Sequence, residues 1–263
     1  MIYIIFVIFG LLPSIIWLLF YLRKDVHPES NAMVLKIFFY GMIAAIIAAL
    51  VEIGVSIFLS FLAAPMTKTL IYFLFSEFVV IALVEECSKF LIIKQKVISH
   101  SEFDEPVDAM IYMIIIALGF AAFENTLVLF SSFYFSKGII AVGIGNIIAD
   151  TVFISSLRFL GATFLHVLAS GIVGYFLALS FFNPKKRLNL IIKGLGLATL
   201  LHGLFNISII VFEGGAKDQN LLLSYSAVIF LIIFLSALGF FVSNRFRKLK
   251  KLKSLCLTRH QYE

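Results

Sequence analysis

The stretch TLIYFLFSEFVVIALVEECSKFLII, residues 69–93, decides the fold class. It is apolar and long enough to cross a bilayer, yet it contains Glu85-Glu86-Cys87-Ser88-Lys89. A charged side chain at the centre of a membrane helix costs about 2.5–3.5 kcal/mol on insertion scales. Such groups are retained where they face one another or a wet cavity. This stretch therefore predicts a polar site inside a bundle of apolar helices.

Three further polar clusters interrupt apolar runs elsewhere in the chain. They are Glu124-Asn125 in the run 107–133, His166 in the run 161–182, and His202 with Asn206 in the run 188–212. Each cluster lies on a different predicted helix, so together with Glu85-Glu86 they would meet at one shared intramembrane site. We expect this shared site to be catalytic.

The composition predicts a polytopic membrane protein. Hydrophobic residues make up 62% of the 263 residues and charged residues only 14%, whereas soluble domains are roughly 45–50% apolar. We expect one all-α transmembrane domain over 1–243 and a basic cytoplasmic tail over 244–263. No folded basic face is apparent, so the lipid bilayer is the expected partner, and nucleic acid is not.

The apolar runs predict a bundle of about 7–8 membrane helices in the cell membrane. The clear runs are 2–22, 33–62, 69–93, 107–133, 161–182, 188–212 and 221–242. The segment 138–157 is ambiguous, because it contains Gly143, Gly145, Asn146 and Asp150. The distribution of Lys and Arg favours seven full spans with this segment partly inserted and the N-terminus outside. An eighth crossing would instead bring His166 to the depth of Glu85.

The Glu85-Glu86 pair can divide two tasks between its members. Neighbouring residues on a helix point about 100° apart, so one glutamate would do the chemistry while the other supports it. Lys89 follows Glu85 by four residues, which is the favourable order for a helical ion pair. A glutamate placed in this way can act as a general base towards water. The alternative is a structural ion pair that only neutralises a buried charge.

Glu124, His166 and His202 form a plausible metal set, since catalytic zinc commonly takes three protein ligands and a water. The same groups can work without metal, if the imidazoles stabilise an oxyanion and the carboxylate orients water. The sequence leaves Zn²⁺ and metal-independent chemistry open, and no His-Glu-x-x-His helix is present. Asn206, one turn after His202, would donate to the oxyanion, orient the imidazole, or pack between helices.

Three other polar residues have structural interpretations from sequence. Arg158 is expected to anchor its helix at the interface, with binding to a carboxylate as the alternative. Glu52 has no obvious partner, and it would lie near the far interface or hydrogen-bond to a neighbouring helix. Cys87 has no adjacent imidazole in sequence and is interpreted as a packing residue.

In order and spacing, the clusters resemble the PrsW family of membrane proteases, within the group that includes type II CAAX prenyl proteases and bacteriocin-immunity-type proteins. The resemblance covers about residues 84–206. Its motifs are Glu-Glu-x-x-Lys at 85–89, Asp-Glu-Pro-x-Asp at 104–108, Gly-Phe-x-x-x-Glu-Asn at 119–125, Arg158 before His166, and His-x-x-x-Asn at 202–206. Departures from the family pattern are Ala109 in place of glycine and Val128 in place of an aromatic residue.

The resemblance implies an intramembrane endopeptidase with Glu85, Glu86, Glu124, His166, His202 and Asn206 as its site residues. Its substrate would be a membrane-anchored protein, and an anti-sigma factor cut at its first site is one such class. A CAAX-type prenyl-protein endopeptidase is an alternative, although those enzymes usually present Glu-Glu-x-x-x-Arg and a histidine where this chain has Glu124. Further alternatives are a non-enzymatic scaffold or immunity protein of the same fold, and a transporter or proton relay.

Overall fold

A computed structural model describes residues 2–23, 29–62, 69–136 and 144–252. These ranges contain nine α-helices and no strand, so the all-α prediction is confirmed. The helices are α1 (Ile2–Leu22), α2 (Asn31–Leu62), α3 (Leu70–Phe75), α4 (Val84–Lys96), α5 (Asp108–Ser136), α6 (Ile144–Leu160), α7 (Ala162–Phe181), α8 (Arg187–Lys217) and α9 (Leu221–Leu249). A π-helical segment, Ser76–Leu83, joins α3 to α4, and a 3₁₀ turn, Pro184–Lys186, precedes α8.

Helices α5 and α7 form the centre of the bundle. Every residue of α5 from Asp108 to Ala122 is buried, and so is most of α7. The two helices are antiparallel, because Gly174 of α7 lies against Ala109 near the start of α5 while His166 contacts Glu124 further along. Helices α1, α2 and α4 pack around α5, and α8 and α9 pack around α7.

The outer helices expose large apolar side chains, as expected for surfaces that face lipid. Leu50 and Phe58 of α2 and Leu222 and Phe240 of α9 are all more than half exposed. Six helical stretches of the described residues are long and apolar enough to cross a membrane. They are Ile2–Leu22, Asn31–Leu62, Asp108–Tyr134, Asn146–Phe181, Pro184–Lys217 and Leu221–Leu249. The protein is therefore a multi-pass membrane protein, and the count of seven or eight spans stays a prediction.

The predicted span 69–93 is divided into α3, the π-helical segment and α4, and it is not among the six stretches. It carries Glu77 in addition to the expected Glu85, Glu86 and Lys89. A π-helical turn changes the angular relation between residues before and after it, and such turns are frequent at functional sites. The π-helical segment therefore determines whether Glu77 lies on the same face of the helix as Glu85 and Glu86.

The ambiguous segment of the sequence forms α6 as far as the structure describes it, and residues 137–143 lie outside the described part. Helix α6 runs parallel to α1, because Ser155 donates to the Phe9 carbonyl at 2.7 Å and Trp17 Nε1 donates to the Phe159 carbonyl at 3.0 Å. A break at Gly161 separates α6 from α7. Both helices belong to one candidate membrane stretch, Asn146–Phe181.

The last two helices are longer than the sequence predicts. Helix α8 continues to Lys217 rather than residue 212, and α9 continues to Leu249 rather than residue 242. Helix α9 therefore runs past the predicted domain boundary at residue 243, and residues 253–263 of the basic tail lie outside the described part. The division into 1–243 and 244–263 stays a prediction.

Two glycines allow α2 and α5 to touch backbone to backbone. A Cβ added at Gly119 would lie 1.9 Å from the Phe38 carbonyl oxygen, and one added at Gly41 would lie 2.1 Å from the Ile116 carbonyl oxygen. Neither distance can be relieved by rotating a side chain, because the obstacle is backbone. Small residues at helix contacts are the usual route to close packing in membranes.

We expect Gly119→Ala to lower the free energy of unfolding by about 1–3 kcal/mol, since the methyl group must push α2 away from α5. Thermal unfolding in detergent micelles would measure this change. Gly54→Ala on α2 is the matched control, because its added Cβ meets nothing within 4 Å. Equal stability of the two variants would contradict the close α2–α5 contact.

Candidate active site

The Glu86 carboxylate joins three helices at the centre of the bundle. Its Oε1 accepts hydrogen bonds from Lys89 Nζ at 2.8 Å and from His202 Nδ1 at 3.0 Å. Its Oε2 accepts one from Ser170 Oγ at 3.1 Å. Glu86 is 0% exposed, so it is enclosed by α4, α7 and α8 and supplied with donors on both oxygens.

The Lys89 ammonium group provides the cation for this cluster. It is 0% exposed, donates to Glu86, and lies 3.0 Å from His166 Nδ1. The Glu85 Oε2 atom is further away, at 3.6 Å. This longer contact is the four-residue ion pair that the sequence predicts, so that prediction is confirmed, but the closer pair is Lys89 with Glu86. The reason is that helical residues three apart are also neighbours, and Glu86 is the glutamate that points inwards.

The Glu85 carboxylate is the member of the pair with fewer hydrogen bonds. It is 7% exposed, and its Oε2 atom is buried without a hydrogen-bond partner. That atom lies 3.8 Å from His202 Nε2 and 3.9 Å from His166 Nδ1. These separations are too long for direct hydrogen bonds but suit a bridging water or metal between the carboxylate and the rings.

Glu124 approaches the cluster from α5. Its Oε2 accepts a hydrogen bond from His166 Nε2 at 2.8 Å, and its Oε1 forms an ion pair with Arg158 Nη2 at 3.0 Å. Arg158 Nε also donates to Asn125 Oδ1, and Asn125 donates to Thr163. The alternative expected for Arg158, binding to a carboxylate, is therefore confirmed, and its role as an interface anchor stays a prediction.

The two histidines are held in different ways. His166 accepts from Lys89 at Nδ1, so its proton lies on Nε2 and is donated to Glu124. Both of its ring nitrogens are thus engaged. His202 donates through Nδ1 to Glu86, and its Nε2 remains directed towards Glu85. The ring centroids are 4.9 Å apart and the rings are nearly perpendicular.

A cavity of about 500 Å³ opens beside these groups. Of the predicted site residues, Glu85, Glu124, His166, His202 and Asn206 line it, whereas Glu86 lies behind its wall. The remaining lining is mainly apolar and comes from the π-helical segment and helices α5 to α8. The structure therefore brings all six predicted residues to one place, five at the cavity and one directly beneath it.

Sequence reasoning missed a buried carboxylate at this cavity. Glu77 lines it, is 8% exposed, and interacts with the Asn206 side chain. Its position two helical turns before Glu85 was a usable signal, since residues seven or eight apart share a helix face. Cys87, by contrast, is half-buried and lies outside the residues that line the cavity, which agrees with its interpretation as a packing residue.

Three side chains lie close enough to share a metal ion, but the carboxylate among them is not the predicted one. The predicted set was Glu124, His166 and His202. The group whose ligand atoms lie within 4.8 Å of one another is Glu85, His166 and His202, all buried. Two ligand atoms of a tetrahedral zinc site, each about 2.0–2.2 Å from the metal, lie roughly 3.4 Å apart. The buried Glu/His/His group could therefore hold a metal after a small contraction.

Comparison with known proteins places the chain in a family. Residues 29–237 match the PrsW family of intramembrane metalloproteases. The chain belongs to the PrsW family. Protease PrsW of Geobacillus kaustophilus is 28% identical over 199 residues, which cover 75% of this chain and 76% of that protein. Protease PrsW of Clostridioides difficile is 28% identical over 206 residues, which cover 77% and 78%.

Similarity extends over most of the chain in a further PrsW relative as well. Protease PrsW of Oceanobacillus iheyensis is 27% identical over 226 residues, covering 85% of this chain and 90% of that protein. No solved structure matches the chain. Membership of the PrsW family, together with the apolar helices, makes the protein a membrane-embedded protease that acts on a protein substrate.

We expect Lys89→Met to lower the free energy of unfolding by about 3–5 kcal/mol, because it leaves the Glu86 carboxylate buried without its cation. Chemical denaturation in micelles would measure the change. Lys94→Met is the matched control, since Lys94 lies on the same helix and is exposed. If both variants were as stable as the wild type, the central ion pair would not be holding the bundle together.

Proposed function

We propose that the protein hydrolyses a peptide bond in a membrane-anchored protein, using a water molecule activated by Glu85. The observation that carries this proposal is that Glu85 lines the large cavity while its Oε2 atom is buried without a hydrogen-bond partner. A carboxylate within reach of a water is a competent general base. Glu86 is less suited to this role, because donors already occupy both of its oxygens.

In the proposed reaction Glu85 takes one proton from the water, and the resulting hydroxide adds to the scissile carbonyl carbon. His202 in its doubly protonated form donates Nε2–H to the oxyanion, and the Asn206 amide donates from the adjacent turn. Donors placed where charge develops lower the barrier more than donors to the ground state. Glu85 then returns its proton to the leaving nitrogen as the C–N bond breaks.

The other site residues hold these groups in position. Glu86 accepts the Nδ1 proton of His202 and so orients the ring with Nε2 towards Glu85. His166 connects Lys89 to Glu124 through its two nitrogens, which leaves neither free to donate to an oxyanion. We therefore assign Glu86, His166 and Glu124 to positioning, and Glu77 to orienting Asn206.

A metal-dependent form of the same reaction is the second candidate. Glu85, His166 and His202 would hold the ion, which when bound would polarise the carbonyl and lower the pKa of its water. This set fits by distance, but His166 Nδ1 is 3.0 Å from the Lys89 ammonium. Lys89 would have to withdraw before His166 could bind a cation. For this reason the glutamate mechanism is the one we favour.

The arrangement of the helices supports a substrate that is cut near the extracytoplasmic side. Two residues that line the cavity, Ser132 and Glu213, lie near one end of their helices. Four lysines lie at the opposite helix ends: Lys94, Lys96, Lys185 and Lys186. By the positive-inside rule the basic ends are cytoplasmic. This orientation gives seven crossings, if the stretch from α3 to α4 counts as one crossing and the stretch from α6 to α7 counts as another. A membrane-anchored anti-sigma factor is one substrate class with a cleavage site on that side.

Glu85→Gln should lower kcat by about 10²- to 10⁴-fold, since amide cannot accept the proton from water. The assay would be cleavage of a panel of single-span membrane proteins in liposomes, one of them of anti-sigma type. Cys87→Ala, two residues away in the same helix and outside the cavity, is the matched control and should cleave at the wild-type rate. Full cleavage by folded Glu85→Gln would refute the proposed role.

Wild-type enzyme should keep its cleavage rate after treatment with a zinc chelator and removal of free metal, because Lys89 already supplies the cation at the site. The measurement is the same liposome assay with total metal content determined in parallel. Loss of cleavage on chelation, with recovery when Zn²⁺ is restored, would contradict the glutamate mechanism and support the metal-dependent form.

A further inference from the structure

A further carboxylate lies next to the site, on α2 between two exposed apolar residues. Glu52 is on α2 between Val51 and Ile53, both of which are exposed. Its Oε1 atom is buried and has no hydrogen-bond partner. The described residues give Glu52 no ion pair. An unpaired carboxylate in an apolar surrounding is costly, so its retention calls for a physical explanation.

Glu52 shares a small cavity with two groups of the site. This cavity has a volume of about 60 Å³ and is lined by Glu52, Glu85 and Glu124 together with apolar side chains. A cavity of about 10–15 Å³ is the minimum for one water, which takes roughly 30 Å³ in the liquid and needs two to four polar partners. The small cavity therefore has room for about two waters, and the three carboxylates supply the polar partners.

Glu85 and Glu124 line both cavities and so separate the small one from the large one. A substrate that fills the large cavity blocks access of water to Glu85 from that side. The small cavity then provides the remaining route by which Glu85 can exchange a proton. At the end of this route lies Glu52, whose charged and titratable neighbours are Glu85, Glu124, Lys89 and His202.

We propose that Glu52 is a proton-transfer residue that receives protons from Glu85 through water in the small cavity. This proposal rests on the proposed function, because it requires Glu85 to be the general base. Glu85 and Glu124 have cations at 3.6 Å and 3.0 Å, in Lys89 and Arg158. Glu52 has neither an ion pair nor a partner for Oε1, so it is the carboxylate of the three that can best hold a transferred proton.

In the proton balance of the reaction, Glu52 receives the second proton of the attacking water. The first proton passes through Glu85 to the leaving nitrogen when the C–N bond breaks. The second remains on the newly formed carboxylic acid until ionised Glu85 removes it and passes it through cavity water to Glu52. The product is then a carboxylate beside Glu85 and Glu124, and like-charge repulsion favours its release. After release, Glu52 returns the proton through Glu85 to the emptied large cavity.

The test uses the full-length protein in liposomes and a reporter with one membrane-spanning segment that the wild type cleaves. Glu52→Gln should lower kcat about tenfold with KM within twofold of wild type, and should raise the solvent deuterium isotope effect on kcat. Glu52→Asp should recover most of the rate, because a carboxylate one methylene shorter can still bond to the cavity water. Gly54→Ala, on the same helix and in open space, should behave as wild type.

A second variant separates the water route from a structural role of Glu52. Ala49→Leu fills the small cavity from its lining while Glu52 stays intact, and should lower kcat as Glu52→Gln does. Either of two results would overturn the proposal. The first is a wild-type kcat in Glu52→Gln. The second is a wild-type rate in Ala49→Leu together with a Glu52→Asp variant that is as slow as Glu52→Gln. Glu85→Gln is measured alongside. If it is inactive while Glu52→Gln is unaffected, only the proton transfer fails, whereas an active Glu85→Gln would refute the proposed function itself.

Discussion

The structure depends on one constraint: the Lys89 ammonium group is completely buried in a protein that spans a membrane. A buried charge is tolerated only when it is paired and its hydrogen bonds are satisfied. Lys89 meets this condition by contacting Glu86 on its own helix and His166 on α7. Glu86 in turn requires His202 of α8. The need to neutralise one cation thus brings α4, α7 and α8 to a common point, and apolar packing fills the space around it.

Satisfying Lys89 through Glu86 leaves Glu85 in a different state from its neighbour. Glu86 is hydrogen-bonded through both oxygens and lies behind the cavity wall, whereas Glu85 lines the cavity and its Oε2 atom has no hydrogen-bond partner. The same helical turn therefore provides a rigid support and a reactive group side by side. This division of roles gives a reason for two adjacent glutamates, although burying a single one would cost less free energy. It is also the reason why we propose Glu85, whose Oε2 atom has no hydrogen-bond partner, as the residue that does the chemistry.

The apolar runs predicted the helices well, because a segment long enough to cross a bilayer has few alternatives to a helix. The meeting of Glu85, Glu86, Glu124, His166 and His202 followed from the cost of burying each one separately. Sequence spacing predicted the Lys89–Glu85 ion pair but not the closer contact of Lys89 with Glu86, which depends on side-chain direction. It also did not single out Glu77 as a site residue, and it left Arg158 open between two roles. The break at Gly161 and the π-helical segment, neither of which has a strong sequence signal, place those residues at the cavity.

Polar groups from separate helices form one coupled cluster in this structure, and a double-mutant cycle measures their coupling. The variants are Glu86→Gln, His202→Gln and the double mutant, with the free energy of unfolding measured in micelles. Residues in one hydrogen-bond network show interaction energies of about 0.5–3 kcal/mol. The structure predicts a value in that range for this pair, which lies 3.0 Å apart. Additivity within about 0.3 kcal/mol would contradict it.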